Sequence, residues 1–148
     1  MDRESLIRTG KSGAVHNYLA VSHDLPPIVL IQNSDEDVVT HVINENSGSK
    51  VRNRLEELLY IENAIDYVFV CRADATEFVS RARELNDVMA LAPEDRIDVL
   101  VVAYLENGGE VESYYAELTP AEKNTGRSIG EWKEQNIEIM GNVLIRKW

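Results

Sequence analysis

The stretch from Ile97 to Leu118 constrains this chain more than any other. It reads IDVLVVAYL, then ENGG, then EVESYYAEL. Val99 to Leu105 is apolar at every position and rich in β-branched residues. A short unbroken run of this kind, bounded by turn signals, reads as a strand covered on both faces. In Glu106-Asn107-Gly108-Gly109, asparagine and glycine reach positive φ at small steric cost, so the chain can reverse tightly there. The return strand alternates. Tyr114, Ala116 and Leu118 share one face, and Val111, Ser113, Tyr115 and Glu117 share a more polar one, as a strand with one wetter side requires.

A chain of 148 residues, 44% of them hydrophobic, is long enough for one domain, residues 1–148, with a core that needs no covalent staples. Its lone cysteine, Cys71, excludes an internal disulfide framework and fits the reducing cytoplasm. The opening MDRESLIRTGKSG has no apolar core of a secretory signal, and no apolar run approaches the length of a membrane span. A cytoplasmic protein without a membrane partner is the expectation. The formal net charge of −11 repels phosphate backbones. The basic pairs Arg52 with Arg54, Arg81 with Arg83 and Arg146 with Lys147 make no continuous run, so no direct nucleic-acid binding is expected.

Taken in order, residues 1–12 are polar and read as a frayed segment. Gly13 to Ser22 has Val15, Tyr18 and Leu19 at helical spacing. Leu25-Pro26-Pro27 breaks that helix and leads into a strand from Ile28 to Gln32. Asn33 to Asp37 is an acidic turn, and Val38 to Ile43 returns as the second arm of a hairpin. Val51, Leu55, Leu58 and Leu59 form the stripe of an amphipathic helix over 50–63, with Ser49 as its cap. Ile65 to Cys71 is another buried strand. Thr76 to Ala90 carries Phe78, Ala82, Leu85 and Met89 on a stripe, and is either a second main helix or extended. Thr119-Pro120-Ala121-Glu122 has the form of a capping box. Residues 124–135 form a long polar loop, and 137–146 either a closing hairpin or one bulged strand. Sequential hairpins with helices between them predict an α+β fold. Its mainly antiparallel sheet should hold about five to seven strands, with two main helices on one face.

Familiar chemical signatures are missing. Gly10-Lys11-Ser12 invites comparison with the phosphate-binding loop, but Ser5 stands where that loop needs its first glycine, and too little chain precedes it for a strand. His16, His23 and His41 lack zinc-ligand spacing, and the acidic turn lacks the spacing and glycine of a calcium loop. No metal or cofactor is implied. Cys71 ends a buried strand and reads as a small hydrophobe. There is no G-x-S-x-G elbow, H-E-x-x-H helix or dinucleotide fingerprint. These absences lean against an enzyme without excluding one, because catalytic groups often meet only in the fold.

Binding is therefore sought in the loop and at the C-terminus. Arg127, Trp132 and Lys133 lie in or beside the polar loop; tryptophan and arginine are enriched at binding hot spots, and loops on a rigid sheet commonly carry recognition. If Val143 to Arg146 lies at a sheet edge, its free amides would pair with another chain, giving a partner site or a homodimer.

The strand IDYVFVC, the segment APEDRIDVLVVAYLENGGEV and the later IGEWKE together resemble small α+β proteins of prokaryotic and phage genomes that carry no assigned activity. The resemblance spans Ile65 to Glu134, implies a phage or mobile-element accessory gene, and transfers no functional residue. Three readings of function follow. The first is a non-enzymatic cytoplasmic interaction or regulatory module with a protein partner. The second is a small-molecule-binding domain or enzyme with its site under the 119–135 loop. The third is an acidic inhibitor of a nucleic-acid enzyme.

Overall fold

The computed structural model describes residues 1–20, 26–74, 98–119, 128–134 and 143–148. The elements are α1 (Arg3–Ala20), β1 (Ile28–Asn33), β2 (Val38–Val42), α2 (Gly48–Ile61), β3 (Ala64–Asp74), β4 (Asp98–Glu106), β5 (Glu112–Thr119), β6 (Ser128–Ile129) and β7 (Lys133–Glu134). The sheet runs β2-β1-β3-β4-β5-β6, with β7 joining it by pairing to β5. Every pairing is antiparallel. The α+β class and the antiparallel sheet are as the sequence predicts.

Helices α1 and α2 cover opposite faces of the sheet. Val29, Ile31, Tyr67, Phe69, Val99, Val101, Ala103 and Leu105 pack with the α2 stripe of Val51, Leu55, Leu58 and Leu59. The alternate positions Leu30, Val68, Val70, Leu100, Val102 and Tyr104 pack with Leu6, Ile7 and Ala14 of α1. A central strand that is apolar at every position needs a cover on each side, and one helix supplies each. The stretch Thr76 to Ala90 lies outside the described residues.

Most of the N-terminal segment lies in a helix. Helix α1 starts at Arg3, and the Asp2 carboxylate accepts from the Ser5 amide at 2.8 Å, satisfying one of the donors a helix start leaves open. Leu6 is fully buried. Gly10 is the point of closest approach to the sheet: a Cβ there would meet Val68 Cγ1 at 2.7 Å and Val102 Cγ1 at 3.4 Å. Gly10 therefore serves helix-sheet packing rather than a phosphate loop.

Helix α2 begins two residues earlier than its stripe suggested. Ser47, not Ser49, is the cap, and its side chain accepts from the Lys50 amide. The chain leaves α2 through Asn63 at φ 55°, a left-handed position that asparagine tolerates. The His41 ring and the Glu62 carboxylate, 3.0 Å apart, tie β2 to this end of α2. In the central reversal, Gly108 has φ 78°.

The last residues also depart from expectation. Residues 143–148 form no strand. Leu144 and Ile145 are buried in the α2-side core, with Val143 and Trp148 packed against it. Side chains take the place of a partner strand. Arg52 donates to the Leu144 carbonyl at 3.0 Å, and Tyr67 bonds both backbone groups of Ile145. Asn107 receives the Trp148 amide and donates to its carbonyl. Val143 to Arg146 is therefore not a sheet-edge strand, and the described residues give no support to a homodimer through it. The stretch 137–142 lies mostly outside the described residues.

Candidate functional site

A cleft opens between α1 and β5 on the sheet face opposite α2. Its volume is about 550 Å³, and Arg3, Glu4, Ile7, Arg8, Lys11, Glu112 and Tyr114 line it. Helical spacing puts Arg3, Ile7 and Lys11 on one stripe of α1 and Glu4 with Arg8 on the adjacent one. Ile7 turns into the core, while Arg8 stays exposed and Lys11 half-buried. Across the cleft, Glu112 and Tyr114 are alternate residues of β5 and so point to the same face. Gly10 lets α1 lie close to β3 and β4, which brings Lys11 down beside β5.

The cations are placed differently. Arg3 Nε donates to Glu112 Oε2 at 2.9 Å, and its guanidinium carbon sits 5.1 Å from the centre of the Tyr104 ring. Arg3 is therefore anchored. Lys11 Nζ lies 3.7 Å from the centre of the Tyr114 ring and 5.7 Å from that of Trp132. An ammonium over an aromatic face is attracted by the ring quadrupole, but its N–H groups still want acceptors. Partial burial lowers the Lys11 pKa from its ordinary value, against the opposing pull of Glu112 and Glu134. Burial likewise raises that of Tyr114, with Glu112 contributing in the same direction. Among the described residues, neither Arg8 nor Lys11 makes an ion pair or a side-chain hydrogen bond.

Below the Arg3 end lies a buried polar cluster. Tyr104 donates its hydroxyl proton to Asp66 Oδ2 at 2.7 Å. Asp66 is paired across the sheet with Gln32 on one side and Glu106 on the other. Among the described residues, Asp66 Oδ1 and Gln32 Oε1 have no hydrogen-bond partner. Burial raises the Asp66 pKa, the Tyr104 hydrogen bond opposes that, and Glu106 adds to it.

The residues singled out by sequence are only partly brought together. Trp132 is half-buried, packs against the α1-side core and flanks Lys11. Lys133 is exposed in β7 and lies on the other face, 6.0 Å from the centre of the Tyr115 ring. Trp132 packs against the α1-side core, whereas Tyr115, the ring beside Lys133, packs against the α2-side core. Arg127 lies outside the described residues. Part of the expected polar loop is hooked to the sheet: β6 pairs at Leu118 and Thr119, β7 at Tyr114 and Tyr115, and the Gly130 amide donates to the Glu117 carbonyl between them.

Sequence reading missed Arg3, Arg8 and Lys11. The available signals were the Asp2 cap and the spacing of Leu6, Gly10 and Ala14, one turn apart along a single face. Among the described residues no group of three or more His, Cys, Asp or Glu side chains could hold a metal ion, and no helix is long and apolar enough to cross a membrane. The chain matches no family model, no curated protein and no solved structure.

Proposed function

We propose that this protein is a non-enzymatic cytoplasmic interaction module whose α1/β5 cleft receives an anionic group of a protein partner. The observation that carries the reading is a cleft lined by Arg8 and Lys11, neither with an acceptor among the described residues, in which Lys11 lies over Tyr114 and near Trp132. Such a pair of cations in a chain of net charge −11 runs against the overall charge. Lysine held over aromatic rings in a cleft is the kind of perturbed group that marks functional sites. The groove is open-sided, which suits a protruding side chain of another protein better than an enclosed small molecule. The net charge disfavours a nucleic-acid backbone as a partner.

The test is photo-cross-linking in source cells. A benzoylphenylalanine in place of Glu4, a cleft-lining residue that takes no part in holding the anion, should capture one discrete protein, and the same probe in place of Lys50, on the other helix, should not. Equal capture from both places, or none from the first, would overturn the reading.

A further inference from the structure

We infer that the group the cleft accepts is a single carboxylate, carried by a Glu or Asp side chain next to a large apolar residue in a partner peptide. This deepens the reading above and rests on it. Charge bears on the choice of ligand. Arg3, Arg8 and Lys11 face Glu4 and Glu112 within the lining, and with Glu134 the charges balance, so the pull on a ligand is local to Arg8 and Lys11. Glu134 acts on Lys11 from beyond the lining. A monoanion is repelled less by these three carboxylates than a doubly charged phosphate would be.

The donors are also of the right kind. Arg3 is held by Glu112 at 2.9 Å, so it positions rather than recognises. Arg8 offers a planar fork that matches a carboxylate, and Lys11 offers a point charge with unmet N–H groups. Tyr114 and Trp132 flank Lys11 and give an adjoining apolar side chain a surface to cover. Covering it removes water from the ion pair and strengthens it. The screening length at physiological ionic strength is about 8 Å. Charges lining the cleft therefore outweigh the distant acidic surface for a seated ligand.

The probes are three capped peptides, acetyl-Leu-Glu-Phe-amide, its Gln counterpart and its phosphoserine counterpart, with inorganic phosphate as a fourth. Backbone amide resonances of the intact protein report binding. The Glu peptide should shift residues of α1 from Arg3 to Lys11 and of β5 from Glu112 to Tyr114, and bind about tenfold or more tighter than the Gln peptide. Lys11→Gln and Arg8→Gln should each weaken it about fivefold or more. Lys11→Arg should retain it, and Glu4→Gln should tighten it by removing a repelling carboxylate. These exposed or half-buried changes leave the core intact, and the spectrum itself reports folding. Equal shifts from the Glu and Gln peptides, no shift from either, or tighter binding of phosphoserine or phosphate would overturn the inference. If any of these occurs while the Glu4 cross-link still forms, the docking site stands and only its ligand class fails.

Discussion

The Tyr67 hydroxyl both donates to the Ile145 carbonyl, at 2.7 Å, and accepts from the Ile145 amide, at 2.8 Å. One side chain in the middle of the sheet thereby satisfies both backbone groups of a residue in the C-terminal segment. Tyr67 is fully buried, and burial raises its pKa far above the ordinary tyrosine value, so it remains a neutral donor. The Trp148 ring packs against it with centroids 5.3 Å apart, and its indole N–H donates to the Ala64 carbonyl. The C-terminus is thus part of the core, and the Lys11 cleft lies on the opposite face of the same sheet.

Tyr67→Phe keeps the ring and removes the hydroxyl. It leaves a buried amide and a buried carbonyl without partners, which should cost about 2 to 4 kcal/mol. Chemical denaturation is the measurement. A midpoint within error of the wild type would mean that water or another group replaces the hydroxyl. Removing every residue after Gly141 strips Leu144, Ile145 and Trp148 from the core and should leave the protein unfolded, so that truncation tests folding and not partner binding.

The two glycines of α1 should respond in opposite directions. Gly10→Ala places a methyl 2.7 Å from Val68 Cγ1, so helix and sheet must separate, at a cost of about 1 to 3 kcal/mol. At Gly13 a Cβ would meet nothing within 4 Å. Gly13→Ala should therefore stabilise by about 0.5 to 1 kcal/mol, since alanine loses less backbone entropy in a helix. Thermal melts of the two single variants decide it. Equal effects would mean that α1 does not rest on Val68.

Asp66 sets a pH dependence. Its folded pKa is raised, chiefly by burial, so the folded state prefers the protonated acid. That contribution to stability is fully present below the unfolded carboxylate value and is lost as pH rises through the folded one. Asp66→Asn cannot ionise, and its amide can serve the unpartnered Gln32 Oε1. The variant should match the wild type in acid and become more stable by about 1 kcal/mol or more at neutral pH. Melting temperatures for both proteins across pH would show the curves diverging as pH rises. Parallel curves would mean that Asp66 ionises in the fold without penalty.

The sheet was legible because its strands announce themselves. Val99 to Leu105 had to be covered on both faces, Tyr114, Ala116 and Leu118 alternate cleanly, and the α2 stripe recurs at helical spacing. Helix α1 was hidden by two glycines and by polar neighbours. Its packing depends on the missing Cβ of Gly10 as much as on Leu6 and Ile7, and hydrophobic periodicity does not register an absent side chain. Val143 to Arg146 read as a strand because the run is apolar and β-branched. Tyr67, Arg52 and Asn107, distant in sequence, take up the backbone bonds that a strand neighbour would have made. The cleft was illegible for the same reason: Lys11, Tyr114 and Trp132 come from three separate stretches and meet only after folding.

The central claim is that location, not overall charge, makes the α1/β5 cleft the recognition site. Two double charge reversals change net charge equally: Arg8→Glu with Lys11→Glu in the cleft, and Lys50→Glu with Arg54→Glu on α2. Affinity for the cross-linked partner, measured by calorimetry on variants shown by circular dichroism to be folded, separates them. The cleft pair should lose about a hundredfold or more, and the α2 pair should stay within about threefold of the wild type. Equal losses, or wild-type affinity in the cleft pair, would contradict the account.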